Sequence, residues 1–241
     1  TWKVGLDFQV TDELRLRATR SRDVREATFA ERFDQAGGGA NVNDPLFGGT
    51  PIGITTAAGG NPTLRPEVAD TYVVGFVYQP DWLSGLALSA DYYNIDLVGA
   101  IGSLGFQRVV DDCQAGNQKL CTQIDRDPVT NQITRVEDLF TNIDAAAANG
   151  VDMEMSYRTD VDFFSNQQET LALRFLASYL GENSSTPSGG RTTDLAGVGQ
   201  LPEISTTATL NYNVGPWGLF LSHRFIDETR FNVRWTQGID V

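Results

Sequence analysis

Apolar and polar residues alternate along much of the chain. Trp2, Val4, Leu6, Phe8 and Val10 are interleaved with Lys3, Gly5, Asp7 and Gln9, and Leu14, Leu16 and Ala18 with Arg15, Arg17 and Thr19. The same period of two recurs from residue 72 to 78, 86 to 92, 151 to 157, 171 to 179, 204 to 214 and, less cleanly, 219 to 225. Successive side chains of a strand point to opposite faces, so each segment predicts a strand with one apolar and one polar face. Eight strands follow, with almost no helical period. The nearest to a helix is Arg25 to Phe33, long enough for one or two turns.

A soluble antiparallel sandwich would show the same alternation. The connections separate the two architectures. Those around Thr11–Glu13, Pro80–Gly85, Thr159–Glu169 and Gly215–Pro216 are tight or moderate. Those from about Ser21 to Pro66, Leu97 to Asn142 and Gly181 to Gln200 are long. In an up-and-down order the long connections all fall at one end of the strands and the short ones at the other. Outer-membrane barrels have this asymmetry, with short periplasmic turns and long extracellular loops. Structureless loops beyond about 12–15 residues are uncommon in compact soluble domains. The expected fold is therefore all-β: a segment of an antiparallel, up-and-down transmembrane β-barrel. Tyr78, Trp82, Tyr157, Tyr212 and Trp217 lie at the short-turn ends, and Trp2, Tyr92, Tyr93, Tyr179 and Phe225 toward the long loops. Two aromatic girdles at the membrane interfaces would place them so; a general preference of aromatics for strands would too.

Composition modifies this picture in a few respects. The 241 residues carry 18 Lys and Arg against 31 Asp and Glu, a net charge of −13. That balance opposes binding to nucleic acid, whose phosphates require cations to release counterions. No apolar run approaches the ~18 residues of a membrane helix, and mean hydropathy is −0.23. Neither fact opposes a barrel, in which only alternate residues meet lipid. The single histidine, His223, leaves no room for a His-rich metal site. Ser222 and His223 are adjacent in a strand and point apart, so they cannot pair as nucleophile and base, and no enzymatic site is expected. Asp125 to Gln132 has the acid spacing of a calcium loop but lacks its Gly and distal Glu. It reads better as a hairpin turning at Pro128 to Asn131. Gly37–Gly39 and Gly48–Gly49 lack the strand–helix context of a phosphate cradle and read as mobile loop. Cys113 and Cys121 lie in a polar, Gly- and Asn-containing stretch. They suit a small disulfide-closed loop in an oxidising compartment, or alternatively two free thiols.

Two segments resemble a known family. Arg17-Ala18-Thr19-Arg20-Ser21-Arg22-Asp23-Val24-Arg25-Glu26-Ala27-Thr28-Phe29-Ala30-Glu31-Arg32-Phe33 and Gly60-Asn61-Pro62-Thr63-Leu64-Arg65-Pro66-Glu67-Val68-Ala69-Asp70-Thr71-Tyr72 resemble the β-barrel region of TonB-dependent outer-membrane receptors. Ser89 to Leu97 and Asn149 to Tyr157 are similar to further strands of that barrel. The resemblance implies a barrel of about twenty-two strands with a plugged lumen. Residues 1–241 would then be a partial barrel domain, with the plug, the TonB-contacting region and the closing strands lying elsewhere in a parent receptor. It also implies an outer-membrane location and TonB-energised uptake of a scarce nutrient, such as a siderophore, cobalamin or a carbohydrate. The expected partners are the TonB system, through the missing plug region, outer-membrane lipid and the small-molecule substrate. No cofactor is implied. Neither end carries a start or stop signal, and both read as cuts.

Pro62 and Pro66 bias the residues before them toward extended geometry and stiffen the approach to the next strand, an architectural role. Arg15, Arg17, Asp152, Glu154, Arg158 and Arg174 would face the lumen. Arg22, Arg25 and Arg32, where the second strand meets its loop, are the candidate ligand contacts; ion pairing with Asp23, Glu26 and Glu31 competes with that role. Two other architectures fit the pattern. A secreted β-sandwich would close Trp2, Phe8, Phe76, Phe175 and Tyr212 into one core. A complete eight-stranded barrel would pair its first and last strands.

Overall fold

The computed structural model describes residues 1–142, 145–164, 167–186 and 192–231. In chain order, β1 (Trp2–Gln9) and β2 (Leu14–Arg25) form a hairpin. Then follow α1 (Phe29–Phe33), β3 (Gln35–Asp44) and β4 (Thr50–Gly59), and β5 (Glu67–Tyr78) and β6 (Leu86–Val98) return to the sheet. The second long connection holds β7 (Ile101–Gly102), α2 (Phe106–Gln114), α3 (Gln118–Cys121), β8 (Ile124–Arg126), β9 (Ile133–Leu139) and β10 (Thr141–Asn142). The last part comprises β11 (Ala145–Val161), β12 (Glu169–Thr186), β13 (Thr193–Asp194), β14 (Ile204–Val214) and β15 (Trp217–Ile226).

All eight alternating segments are strands of one sheet, in the order β1-β2-β5-β6-β11-β12-β14-β15. Each strand is antiparallel to the next, so the wall is an up-and-down meander. Among the described residues nothing pairs β1 with β15, so this is an open barrel wall and not a closed eight-stranded barrel. A sandwich does not fit either, because among the described residues no second layer covers the apolar face. Leu6 is 65% exposed, Phe8 57% and Trp2 46%.

Register gathers mostly apolar residues on one face of the wall and mostly polar ones on the other. Leu6, Ala18, Val74, Tyr92, Val151, Tyr179 and Ile204 lie side by side in one row. The adjacent row on the opposite face is Asp7, Arg17, Gly75, Asp91, Asp152, Ser178 and Ser205. A slip of one residue would exchange the apolar and polar side chains between the faces, so the polarity of the two faces fixes the pairing.

Hairpin turns at the short end are closed by polar contacts. Glu169, 1% exposed, accepts hydrogen bonds from the backbone N–H of Phe163 at 3.1 Å and Phe164 at 2.6 Å and from the Tyr212 hydroxyl at 2.5 Å. Tyr78, Tyr157 and Tyr212 share the apolar face at this end with Leu14, Leu86 and Leu171. Tyr92 and Tyr179 stand on that face toward the long loops, as a girdle requires. Tyr93 does not: it lies on the polar face beside Gly150, where any Cβ would strike its ring.

At the other end β11 and β12 run on for 17 and 18 residues. A membrane-spanning strand needs only ~9–11 residues, so both strands project beyond the apolar band. The first two long connections are built of regular elements. β3 pairs with β4, β4 runs parallel to β9, and β9 pairs with β8, giving a four-stranded sheet built from both connections. Gly37–Gly39, expected in mobile loop, lie within β3. Gly48 and Gly49, at φ 71° and 72°, make the tight turn into β4, where a side chain would be strained. The hairpin expected between Ile124 and Val136 is β8–β9, with Asn131 at φ 60° in its turn. Against this sheet α2 and α3 pack Val109, Val110 and Leu120 onto Val42, Ile54, Ile133 and Val136, all buried. Among the described residues, then, the buried apolar cluster lies in the loops and not in the barrel wall.

Candidate functional site

The two long connections meet the wall at a junction built from ion pairs. Arg22 is in register with Asp70 and makes a bidentate pair with it, Nε–Oδ1 3.0 Å and Nη2–Oδ2 2.7 Å. The parity of β2 places Arg22 on the same side as Ala18 and Leu16, two rows beyond Ala18 and beside Trp2 of β1. Arg25 has the opposite parity and lies on the polar side with Arg17. It donates to Glu67 at 2.5 Å and to both oxygens of Glu31 at 2.9 and 3.1 Å. Arg32 pairs with Glu26 at 3.0 Å. The three candidate arginines are therefore not brought to one surface, and each meets a carboxylate. Two of the competing acids, Glu26 and Glu31, are partners; Asp23 is not among them.

Glu31 has several roles at the junction. Thr28 caps α1 by accepting from the Glu31 N–H, while the Glu31 carboxylate accepts from the Thr28 N–H at 2.7 Å, a reciprocal capping box. The Arg25 guanidinium, aided by the Thr28 backbone, holds the Glu31 carboxyl down to about 2. Glu67 uses its second oxygen to accept from Ile101 N–H at 2.6 Å, linking the first strand of the return hairpin to the second connection.

Within the loop module, Asp44 is fully buried and pairs with Arg126 at 2.7 and 3.2 Å. Desolvation works against its charge, but Arg126 and the Leu46 N–H outweigh burial and hold the carboxyl below its ordinary range. Asp138 receives the N–H groups of Leu104 and Gly105 at 3.0 and 2.9 Å, at the start of α2. Gln107 grips the main chain of Asn43 through both N–H and C=O. Cys113 and Cys121 form a disulfide that ties α2 to α3. Pairs such as Asp44–Arg126 lie 82 residues apart and leave no local signature in the sequence.

The Gly60–Tyr72 segment is largely architectural. Asn61 turns the chain by accepting from Thr63 N–H at 2.9 Å and donates to the Phe140 carbonyl at 2.8 Å. Leu64 is buried. Asn142 accepts from Arg65 N–H and donates to the Arg65 carbonyl, both at 2.9 Å. The polar wall face has its own cavity of about 390 Å³, lined by Arg17, Asp91, Asp152, Glu154 and Ser178 among others. There Arg17 pairs with Asp91, Arg174 with Glu154 at 2.7 Å, and Ser178 with Asp152.

The residues weighed and set aside for other chemistry have plain places in the fold. His223 stands beside Ala208 on the apolar face, and Ser222 beside Thr209 on the polar face. Asp127 accepts from Val129 and Thr130 N–H groups, which hold its carboxyl below its ordinary range, Thr130 contributing most.

The sequence pattern described as "TonB dependent receptor-like, beta-barrel" matches residues 1–240. No curated protein matches the chain. Among solved structures, the siderophore receptor PirA from Acinetobacter baumannii is similar at 12% identity and TM-score 0.53, over 95% of this chain and 30% of that one. A variant of the ferric enterobactin receptor PfeA from Pseudomonas aeruginosa is 12% identical at TM-score 0.48, over 89% of this chain and 32% of that one. The chain thus spans about a third of the length of the receptors it matches.

Proposed function

The chain belongs to the TonB-dependent receptor β-barrel family, and from that membership we propose that it is one stretch of the wall and outer loops of a receptor taking up a scarce nutrient with TonB-supplied energy. On this reading residues 1–241 are part of a larger barrel whose plug and remaining strands belong to other parts of the parent receptor. The polar face lines the lumen and faces the plug. The apolar face meets outer-membrane lipid, and the loop module stands on the extracellular side, where substrate first arrives. Siderophores, cobalamin and carbohydrates are the substrate classes this architecture serves by family resemblance. Arg22, Arg25 and Arg32 then act first as ion-paired anchors of the loop module, with ligand contact available to them only by exchange of a carboxylate partner.

The observation that carries the reading is the division of solvents. The eight-strand wall exposes an apolar face, while connections at one end fold into a module with its own buried core. The test is fractionation and uptake with the full-length protein. Recovery in the outer membrane, and uptake of one of a panel of labelled ferric siderophores, cobalamin or oligosaccharides that stops without TonB, are expected. Recovery in the soluble fraction, or uptake indifferent to TonB, overturns the reading.

A further inference from the structure

A cavity of about 350 Å³ lies where the Asn61–Arg65 turn meets the disulfide-bonded helices and β10. Two cations line it, Arg65 and Lys119, together with the amides of Asn61, Gln123 and Asn142 and the hydroxyls of Thr63 and Thr141. Among the described residues, no Asp or Glu lines it. That is unusual in a chain of net charge −13. The wall cavity contains Asp91, Asp152 and Glu154, a second loop cavity contains Asp127, and a third contains Asp34 and Asp138.

Arg65 and Lys119 are also distinguished by what they do not touch. The arginines around the junction are each matched to a carboxylate. Among the described residues neither Arg65 nor Lys119 has an acidic partner, and both are exposed. Their backbones, by contrast, are held. Asn142 clamps both main-chain polar groups of Arg65. Buried Leu64 fixes the turn from one side, and buried Leu120 with the Cys113–Cys121 bond fixes Lys119 from the other. Two positive charges from separate connections are thus mounted on anchored backbone around a polar space that no described acid lines. An unpaired cation of this kind keeps its full attraction for an incoming anion, because no internal carboxylate has to be displaced.

We propose that this cavity is a binding site for a free anionic ligand bearing several carboxylate or phosphate oxygens, Arg65 gripping a pair of oxygens and Lys119 supplying the second charge. The proposal rests on the receptor reading only for its biological meaning, since it specifies the substrate as anionic. Binding itself is measurable whether or not transport is found, so the two can fail separately.

The experiment is calorimetric titration of the full-length protein in neutral detergent with citrate, alongside a neutral trisaccharide of similar size and lipopolysaccharide. Citrate should bind and the saccharide should not, and added salt should weaken the citrate affinity. R65Q or K119Q should each cost about fivefold, and the double variant at least about tenfold. Conservative K119R should retain most of the affinity, which shows that charge and not folding is measured. Citrate binding unchanged in the double variant, no citrate binding at millimolar concentration, or binding confined to lipopolysaccharide or the saccharide would each overturn the proposal.

Discussion

Arg17 on β2 and Asp91 on β6 form an ion pair although a whole strand, β5, runs between them. The residue of β5 in register with both is Gly75, and a Cβ built there would collide with the Asp91 carboxylate. The pair therefore spans three strands through a gap that only glycine leaves open. G75V should close the gap and separate the charges. The expected loss is about 1–3 kcal/mol from overpacking, seen as a lower unfolding temperature in detergent. R17A should cost about 1 kcal/mol, since the pair is half exposed, and should add little once Gly75 is already valine. A full R17A penalty in the G75V background would show that the two effects are independent.

Asp44 and Arg126 join the two long connections inside the loop core. R126M leaves a buried carboxylate without its partner, a change that typically costs about 3–5 kcal/mol. Amide exchange should accelerate across residues 35–59 and 124–139 while the strands of the wall keep their protection. Equal acceleration in β11 and β12 would mean that loop module and wall unfold as one unit.

The disulfide between Cys113 and Cys121 closes a short loop, for which chain-entropy estimates give about 2–3 kcal/mol. Reduction, or C113S with C121S, should release α3, unpack Leu120 and free the backbone beside the already exposed Lys119. Trypsin should then cut after Lys119 in the reduced protein much faster than in the oxidised one. Unchanged cleavage would show that packing of Leu120 alone holds the helix.

Glu31 makes the junction acid-sensitive. Its carboxyl sits at about 2 when folded, below the ordinary 4.5. A lowered folded value contributes stability that is present above about 4.5 and is lost as pH falls toward about 2. Protection of the Glu31 and Arg32 amides should decline across that window at constant salt. E31Q should show less protection at neutral pH and a flatter acid response; an unchanged acid response would assign the effect to another carboxylate.

The wall is legible in the sequence because each of its faces meets a different solvent. Lipid on one side and water on the other impose a period of two, and Leu6, Ala18 and Val74 fall where that period puts them. The signal fades where the solvents stop differing. Residues 145–150 and 182–186 extend β11 and β12 beyond the apolar band, where both faces are wet, and no alternation announces them. Distance along the strand assigns Tyr93 to the girdle, whereas its parity sets it on the other face, over Gly150. The loop module is hidden for a different reason. Its defining contacts, Asp44 with Arg126, Asn142 with Arg65 and the parallel pairing of β4 with β9, join segments far apart in the chain. Glycine-rich β3 also carries too few side chains to declare itself a strand. The candidate arginines stand out by their clustering at a strand end, yet Arg65 and Lys119, which lack acidic partners among the described residues, lie in separate connections and never cluster in sequence.

The parallel pairing of β4 with β9 has a consequence for how such loops can be exchanged. Neither long connection holds a complete core: Val42 and Ile54 come from one, Val109, Val110, Leu120, Ile133 and Val136 from the other. Grafting either loop alone onto another barrel would transplant half of an interior. The heritable unit of this loop module is the pair, and antibodies raised against peptides from one connection should miss the epitopes that the pair displays.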